Sequence, residues 1–98
     1  MTTNMNVGLI ECGEPGKLFQ TPSFSKNAEL TVRKVYTRIH SSEENVKAMF
    51  PQAELVNDTQ SIFQDNGIEL VIFFNPATSD MHIVGEAIHA GKHVRIDD

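Results

Sequence analysis

Five consecutive apolar residues, Leu70-Val71-Ile72-Phe73-Phe74, place the tightest constraint on how this chain folds. A strand with one wet face alternates apolar and polar residues. An unbroken run instead fits a strand covered on both faces, the condition of a central strand in a parallel sheet. Asn66-Gly67 precedes the run and Asn75-Pro76 follows it, and both pairs favour turns.

The remaining periodicities alternate around that strand. Met5 to Ile10 predicts a first strand, followed by a glycine turn and a helical segment from Pro15 to Phe24. Proline is tolerated in the first helical turn because its missing N–H has no partner there. Leu30 to Thr37 is rich in β-branched residues and predicts a second strand. Ser41-Ser42-Glu43-Glu44 fits a capping box, Val46, Met49 and Phe50 follow at helical spacing, and Pro51 ends that helix. Glu54 to Val56 is a brief third strand, and Thr59 to Gln64 a short helix before the Leu70–Phe74 strand. Met81, Val84, Ala87 and Ile88 make one helical stripe that stops at Gly91, a C′ glycine. His93-Val94-Arg95-Ile96 is a fifth strand.

Strands alternating with helices at this spacing require right-handed crossovers. The expected fold is α/β: a doubly wound, parallel, five-stranded sheet of order 3-2-1-4-5, Rossmann-like, with helices on both faces. Residues 1–98 are read as a single such domain with no second one. In this topology the ligand crevice lies beyond the C-terminal ends of strands 1 and 4.

Charge narrows the partners. The net charge is −5, and the eight Lys and Arg are scattered rather than bunched. Nucleic acid is therefore not an expected partner, since a phosphate backbone needs a basic face, and a polybasic membrane patch is absent as well. No apolar run approaches a membrane span, and the N-terminus has neither the basic start nor the apolar stretch of a secretory signal, so a cytoplasmic location is expected. Cys12 is the lone cysteine and is read as a packing residue, because no His or Asn pattern is available to activate it. His82, His89 and His93 lack acids or cysteines at ligand spacing, so no metal site is expected.

The first strand runs into Glu11-Cys12-Gly13-Glu14-Pro15-Gly16. A dinucleotide turn normally reads G-x-G-x-x-G. Gly13 and Gly16 occupy its second and third glycine positions, and Glu11 its first. Gly13 would let the backbone approach a diphosphate, and Gly16 would let the first helix pack against the sheet; a plain strand-to-helix turn is the alternative. Glu11 opposes an anion. At ~4 Å it would repel one phosphate charge by ~1 kcal/mol in water-like surroundings and ~4 kcal/mol at an effective dielectric of 20. Alternatively Glu11 turns into solvent and costs little. A side chain folded into the hollow itself would plug the cradle.

Thr37-Arg38 closes the second strand. An acid there reads the ribose 2′-hydroxyl of NAD, whereas an arginine suits the 2′-phosphate of NADP. With no acid at Tyr36, Thr37 or Arg38, NADP is favoured over NAD, and an Arg38 that simply faces solvent is the alternative. After the fourth strand, Asn75-Pro76-Ala77-Thr78-Ser79 would lie over the crevice with Asn75 or Ser79 toward a cofactor; the alternative is that Thr78 or Ser79 simply caps the next helix. The candidate cofactor-binding set is Cys12, Gly13, Glu14, Pro15, Gly16, Thr37, Arg38, Asn75 and Pro76.

Taken together, these residues resemble the N-terminal domain of the glucose–fructose oxidoreductase / inositol dehydrogenase / MocA family over nearly the whole chain. One branch of that family starts V-G-L-I-G-x-G-x-x-G-x-x-F-H-x-P-x-F. Val7-Gly8-Leu9-Ile10, Gly13, Gly16, Phe19, Pro22 and Phe24 follow it here. Val35-Tyr36-Thr37-Arg38, Phe50-Pro51-Gln52-Ala53 with Asp58, and Ile68-Glu69-Leu70-Val71-Ile72 are similar to later segments. Ala90-Gly91-Lys92-His93-Val94 is the most specific match.

The resemblance implies an NAD(P)-dependent oxidoreductase acting on sugars or cyclitols, whose C-terminal domain supplies much of the substrate site. The departures fall on function. Glu11 replaces the first glycine, Phe19-Gln20 stands at F-H, Asn75-Pro76-Ala77 replaces T-P-N, and Asp80 takes the following histidine position. The E-K-P motif, whose lysine lies near nicotinamide and substrate, would begin at Asp97, with Asp98 at the lysine. No catalytic residue is therefore expected in this chain. Three roles follow: a cofactor-binding domain of such an oxidoreductase, either truncated before the C-terminal domain or working with a separate substrate-domain polypeptide; a non-enzymatic module for self-association or nucleotide sensing, since the family includes a non-catalytic co-repressor; or a relaxed CoA- or nucleotide-binding module. Without a covering domain, a strand edge and apolar surface would be free to pair, so a homo-oligomer is expected.

Overall fold

Strand β1, Met5–Glu11, forms the middle of a parallel five-stranded sheet. The computed structural model describes residues 5–12, 30–37, 44, 47, 48, 50–74 and 76–97. β2 (Leu30–Thr37) and β4 (Leu70–Phe74) pair with β1 on its two sides. β3 (Glu54–Val56) lies beyond β2, and β5 (His93–Asp97) beyond β4, giving the order 3-2-1-4-5. This is the order that the alternating periodicities predict. β1 extends one residue past its expected end, to Glu11, and β5 one residue past Ile96.

Strands β1 to β4 divide their side chains between two cores. Val7 and Leu9 of β1 join Val35, Phe50, Ile72 and Phe74 on one face. Ile10 joins Val71, Phe73, Ile62, Phe63, Val84 and Ala87 on the other. The Leu70–Phe74 run thus faces apolar groups on both sides, as its composition demands. Helix α1 (Gln60–Phe63) and helix α2 (Met81–His89) cover the second face. On the first face, Phe50 follows Glu44, Lys47 and Ala48, which are helical. The expected helix over 15–24 and the capping residue Ser41 lie outside the described residues.

Gly8 explains how α1 comes so close. A Cβ at that position would collide with Cγ2 of Ile62, a fully buried side chain. β1 therefore carries a glycine where the short helix crosses it.

α2 ends by the chemistry its sequence predicts. Gly91 has φ +84°, a conformation glycine adopts without steric cost. Its N–H donates to the carbonyl of Ile88 at 2.9 Å, and that of Lys92 to Ala87 at 3.1 Å, the paired bonds of a Schellman motif. β5 is then placed by the His93 N–H on the Glu69 carbonyl, at 2.9 Å.

One irregularity matters for the site. Between Val7 and Gly8 the β1–β2 register shifts: Val7 pairs with Val32, but Gly8 with Lys34. A shift of one residue moves all following side chains to the opposite face. Val32 and Val35 therefore both pack on the Leu9 face despite their odd spacing, and Thr37 ends beside Glu11.

Candidate functional site

The C-terminal ends of β1, β2 and β4 form the rim where a doubly wound sheet receives its ligand. Glu11 is the hub of this rim, opposite Thr37 on one side and Phe74 on the other. Beyond the strand, the Cys12 N–H donates to the Phe74 carbonyl at 3.1 Å, so β1 and β4 stay joined one residue further. The Cys12 side chain is half-buried and packs against the core that contains Ile10 and Phe73. Such a placement matches the packing role expected of it.

Glu11 does not turn into solvent. Its side chain is 1 % exposed, and Oε1 accepts a hydrogen bond from Thr37 Oγ1 at 2.5 Å. Oε2 is buried and has no hydrogen-bond partner among the described residues. Leaving a buried acceptor unpaired costs about 1–3 kcal/mol, so this position carries a polar group that the fold does not itself fully satisfy. This hydrogen bond ties the carboxyl group to the end of β2, the side on which a dinucleotide's adenosine ribose is read.

Of the residues expected to hold a cofactor, Cys12, Thr37 and Pro76 are described and Pro76 is half-buried. Gly13, Glu14, Pro15, Gly16, Arg38 and Asn75 lie outside the described residues. Thr37 does stand on the rim at the end of β2, but its hydroxyl donates to Glu11. The sequence sets Glu11 against a phosphate, in solvent or folded into the hollow, and no local pattern pairs it with Thr37. Their 26-residue separation hides the contact from any local pattern.

The loop after β4 departs from the expected capping. Thr78 and Ser79 are exposed within a single 3-10 turn, Thr78–Asp80. The capping acceptor is instead Asp80, whose Oδ2 receives the Ala77 N–H at 2.8 Å. Asp80 is 3 % exposed. The legible signal was an acid three residues after the helix-entry position, reaching back to a free backbone N–H as in half of a capping box. At the position where the resembling family carries histidine, this chain thus uses an acid to hold the turn. His82 is exposed, with Nδ1 2.8 Å from the Ser79 carbonyl. Among the described residues no group of three or more His, Cys, Asp or Glu is placed to hold a metal, and no helix is long and apolar enough to cross a membrane.

Comparison with known proteins agrees with this geometry. No family model matches the chain. It is 34% identical to YdgJ, an uncharacterised oxidoreductase of Escherichia coli, over 99% of its own length and 27% of that protein's. It is 36% identical to IolW, the scyllo-inositol 2-dehydrogenase (NADP(+)) of Bacillus subtilis, over 92% of this chain and 24% of the relative. Among solved structures, yvaA of Bacillus subtilis, named as an oxidoreductase, superposes with a TM-score of 0.81 at 33% identity, over 98% of this chain and 27% of that one. The chain thus spans about a quarter of the length of the relatives it matches. With their fold, their strand order and this level of identity, the chain belongs to the glucose–fructose oxidoreductase / inositol dehydrogenase / MocA family, whose N-terminal Rossmann domain it matches.

Proposed function

We propose that this chain is the dinucleotide-binding part of an oxidoreductase acting on sugars or cyclitols, and that it does not complete the reaction alone. The observation that carries the reading is the rim itself. β1 and β4 meet at a topological switch point, and in the sequence Gly13 and Gly16 follow directly after β1. IolW, a relative with the same segment, is named for NADP(+), which supports a nicotinamide dinucleotide as ligand.

In this reading the backbone from Cys12 to Gly16 holds the diphosphate, with Glu14 and Pro15 inside the turn. Thr37 and Arg38 face the adenosine ribose, and Asn75 and Pro76 border the nicotinamide side. A bound nicotinamide supplies or accepts a hydride. The chain's own residues bind and orient it, and a substrate domain would hold the second reactant close, because proximity is what makes the transfer fast.

Self-association belongs to the same proposal. β5 hydrogen-bonds to β4 alone among the described strands, and Ile96 on it is 46% exposed. An open edge with an exposed apolar side chain favours pairing with a second copy. Sedimentation velocity that shows a monomer at every concentration would remove this part.

Thermal unfolding with millimolar NADP, NAD, NADPH, NADH and CoA tests the main reading. Ligand at 100 times its dissociation constant adds about 2.7 kcal/mol, a shift of roughly ten degrees or more for a domain this size. Stabilisation by a nicotinamide dinucleotide and not by CoA is expected. No shift with any of the five would leave the non-enzymatic, self-associating module as the surviving role.

A further inference from the structure

From the Glu11–Thr37 pair we infer a specificity determinant: it selects a dinucleotide with a free ribose 2′-hydroxyl over one carrying a 2′-phosphate. This rests on the dinucleotide reading above and reverses the preference that Arg38 suggests in the sequence.

Three observations carry it. First, Glu11 and Thr37 are register partners at the ends of β1 and β2, so the carboxylate stands at the end of β2 although it comes from β1. An acid at that place is the group that accepts from a ribose 2′-hydroxyl. Here the chain delivers it from the first fingerprint position instead of from β2 itself. Second, the Thr37 hydroxyl donates to Glu11 Oε1 at 2.5 Å. A hydroxyl has one hydrogen to donate. With that hydrogen on Glu11, the Thr37 hydroxyl has none left to donate to a phosphate. Third, Oε2 is buried without a partner among the described residues. It retains its capacity to accept, which a ribose hydroxyl can fill and a phosphate cannot.

The register shift after Val7 is what makes the pair possible. It turns Thr37 onto the Glu11 face; in unshifted register the hydroxyl would lie on the other side of the sheet.

The test is calorimetric titration of the chain and its Glu11→Gln and Glu11→Gly variants with NADH and NADPH. Adenosine 5′-diphosphate and adenosine 2′,5′-bisphosphate serve as probes of the ribose end alone. The unaltered chain should bind NADH at least tenfold tighter than NADPH, and the two adenosine probes in the same sense. Glu11→Gln keeps the side chain's size and a hydrogen-bond acceptor for Thr37, and should shrink the ratio severalfold. Glu11→Gly should bring NADPH level with NADH or ahead of it. A preference for NADPH in the unaltered chain overturns the inference, as does an equal change for both dinucleotides in the variants, while leaving dinucleotide binding intact. Failure of all three proteins to bind any of the four ligands removes the underlying reading, and the inference with it.

Discussion

The ammonium of Lys92 lies 2.7 Å from the carbonyl oxygen of Asp65 and 2.8 Å from that of Ile68. One side chain from the segment after α2 thereby holds the loop between α1 and β4, which lies 24 or more residues earlier. Lys92 belongs to Ala90-Gly91-Lys92-His93-Val94, the segment most like the family. Here the motif's physical content is structural: Gly91 ends the helix and Lys92 fastens the next connection.

Lys92→Met should lower stability by about 1–3 kcal/mol, since hydrogen bonds from a charged donor to two partly buried carbonyls are lost. A reduced urea midpoint at unchanged slope would register it. Lys92→Arg should not restore it fully, because a planar guanidinium cannot reproduce the compact, rotatable ammonium.

Gly8→Ala should destabilise by about 1–3 kcal/mol, the usual cost of forcing atoms into a filled core. The added methyl meets Ile62, which is fully buried. Combining it with Ile62→Ala, which removes the clashing Cγ2, tests the mechanism: the double variant should lose less than the sum of the two single variants. Strict additivity would mean that the glycine serves some other purpose.

Acid should weaken the loop on either side of α1. Asp58 Oδ1 accepts the Ser61 N–H at 2.7 Å and the Ser61 hydroxyl at 2.9 Å, and these bonds lower its pKa from the ordinary 3.8. Asp65 is lowered first by the Gly67 N–H at 2.8 Å and then by Lys34, 3.1 Å away. Both groups favour the ionised form when folded. Their contribution is therefore present above the ordinary carboxylate pKa and is lost as pH falls below it toward the folded values. Unfolding midpoints followed between pH 6 and pH 2 should fall more steeply for the unaltered chain than for an Asp58→Asn, Asp65→Asn variant. Identical acid limbs would show that other groups govern the transition.

Thr37→Val should cost about 1–3 kcal/mol, because it leaves both oxygens of a buried carboxyl group without a donor. The Glu11→Gly change removes those oxygens along with the unpaired acceptor. A double-mutant cycle should therefore show coupling of about 0.5–3 kcal/mol between the two positions. No coupling would mean that the Thr37 bond adds nothing to folding.

Local pattern in the sequence determined much of this protein. The bounds of Leu30–Thr37, Glu54–Val56 and Leu70–Phe74 coincide with β2, β3 and β4. The α2 stripe ends at Gly91 as its turn chemistry requires. Strand order followed from connection lengths and handedness, which are rules of the chain and not of any one contact. Tertiary structure alone decided what the rim's side chains touch. Glu11 meets Thr37, Lys92 meets the Asp65 and Ile68 carbonyls, and Gly8 admits Ile62, each across 24 or more residues. Such contacts depend on which face a side chain takes, and face depends on register. A single-residue shift between β1 and β2 leaves composition and periodicity unchanged yet carries Thr37 from one side of the sheet to the other.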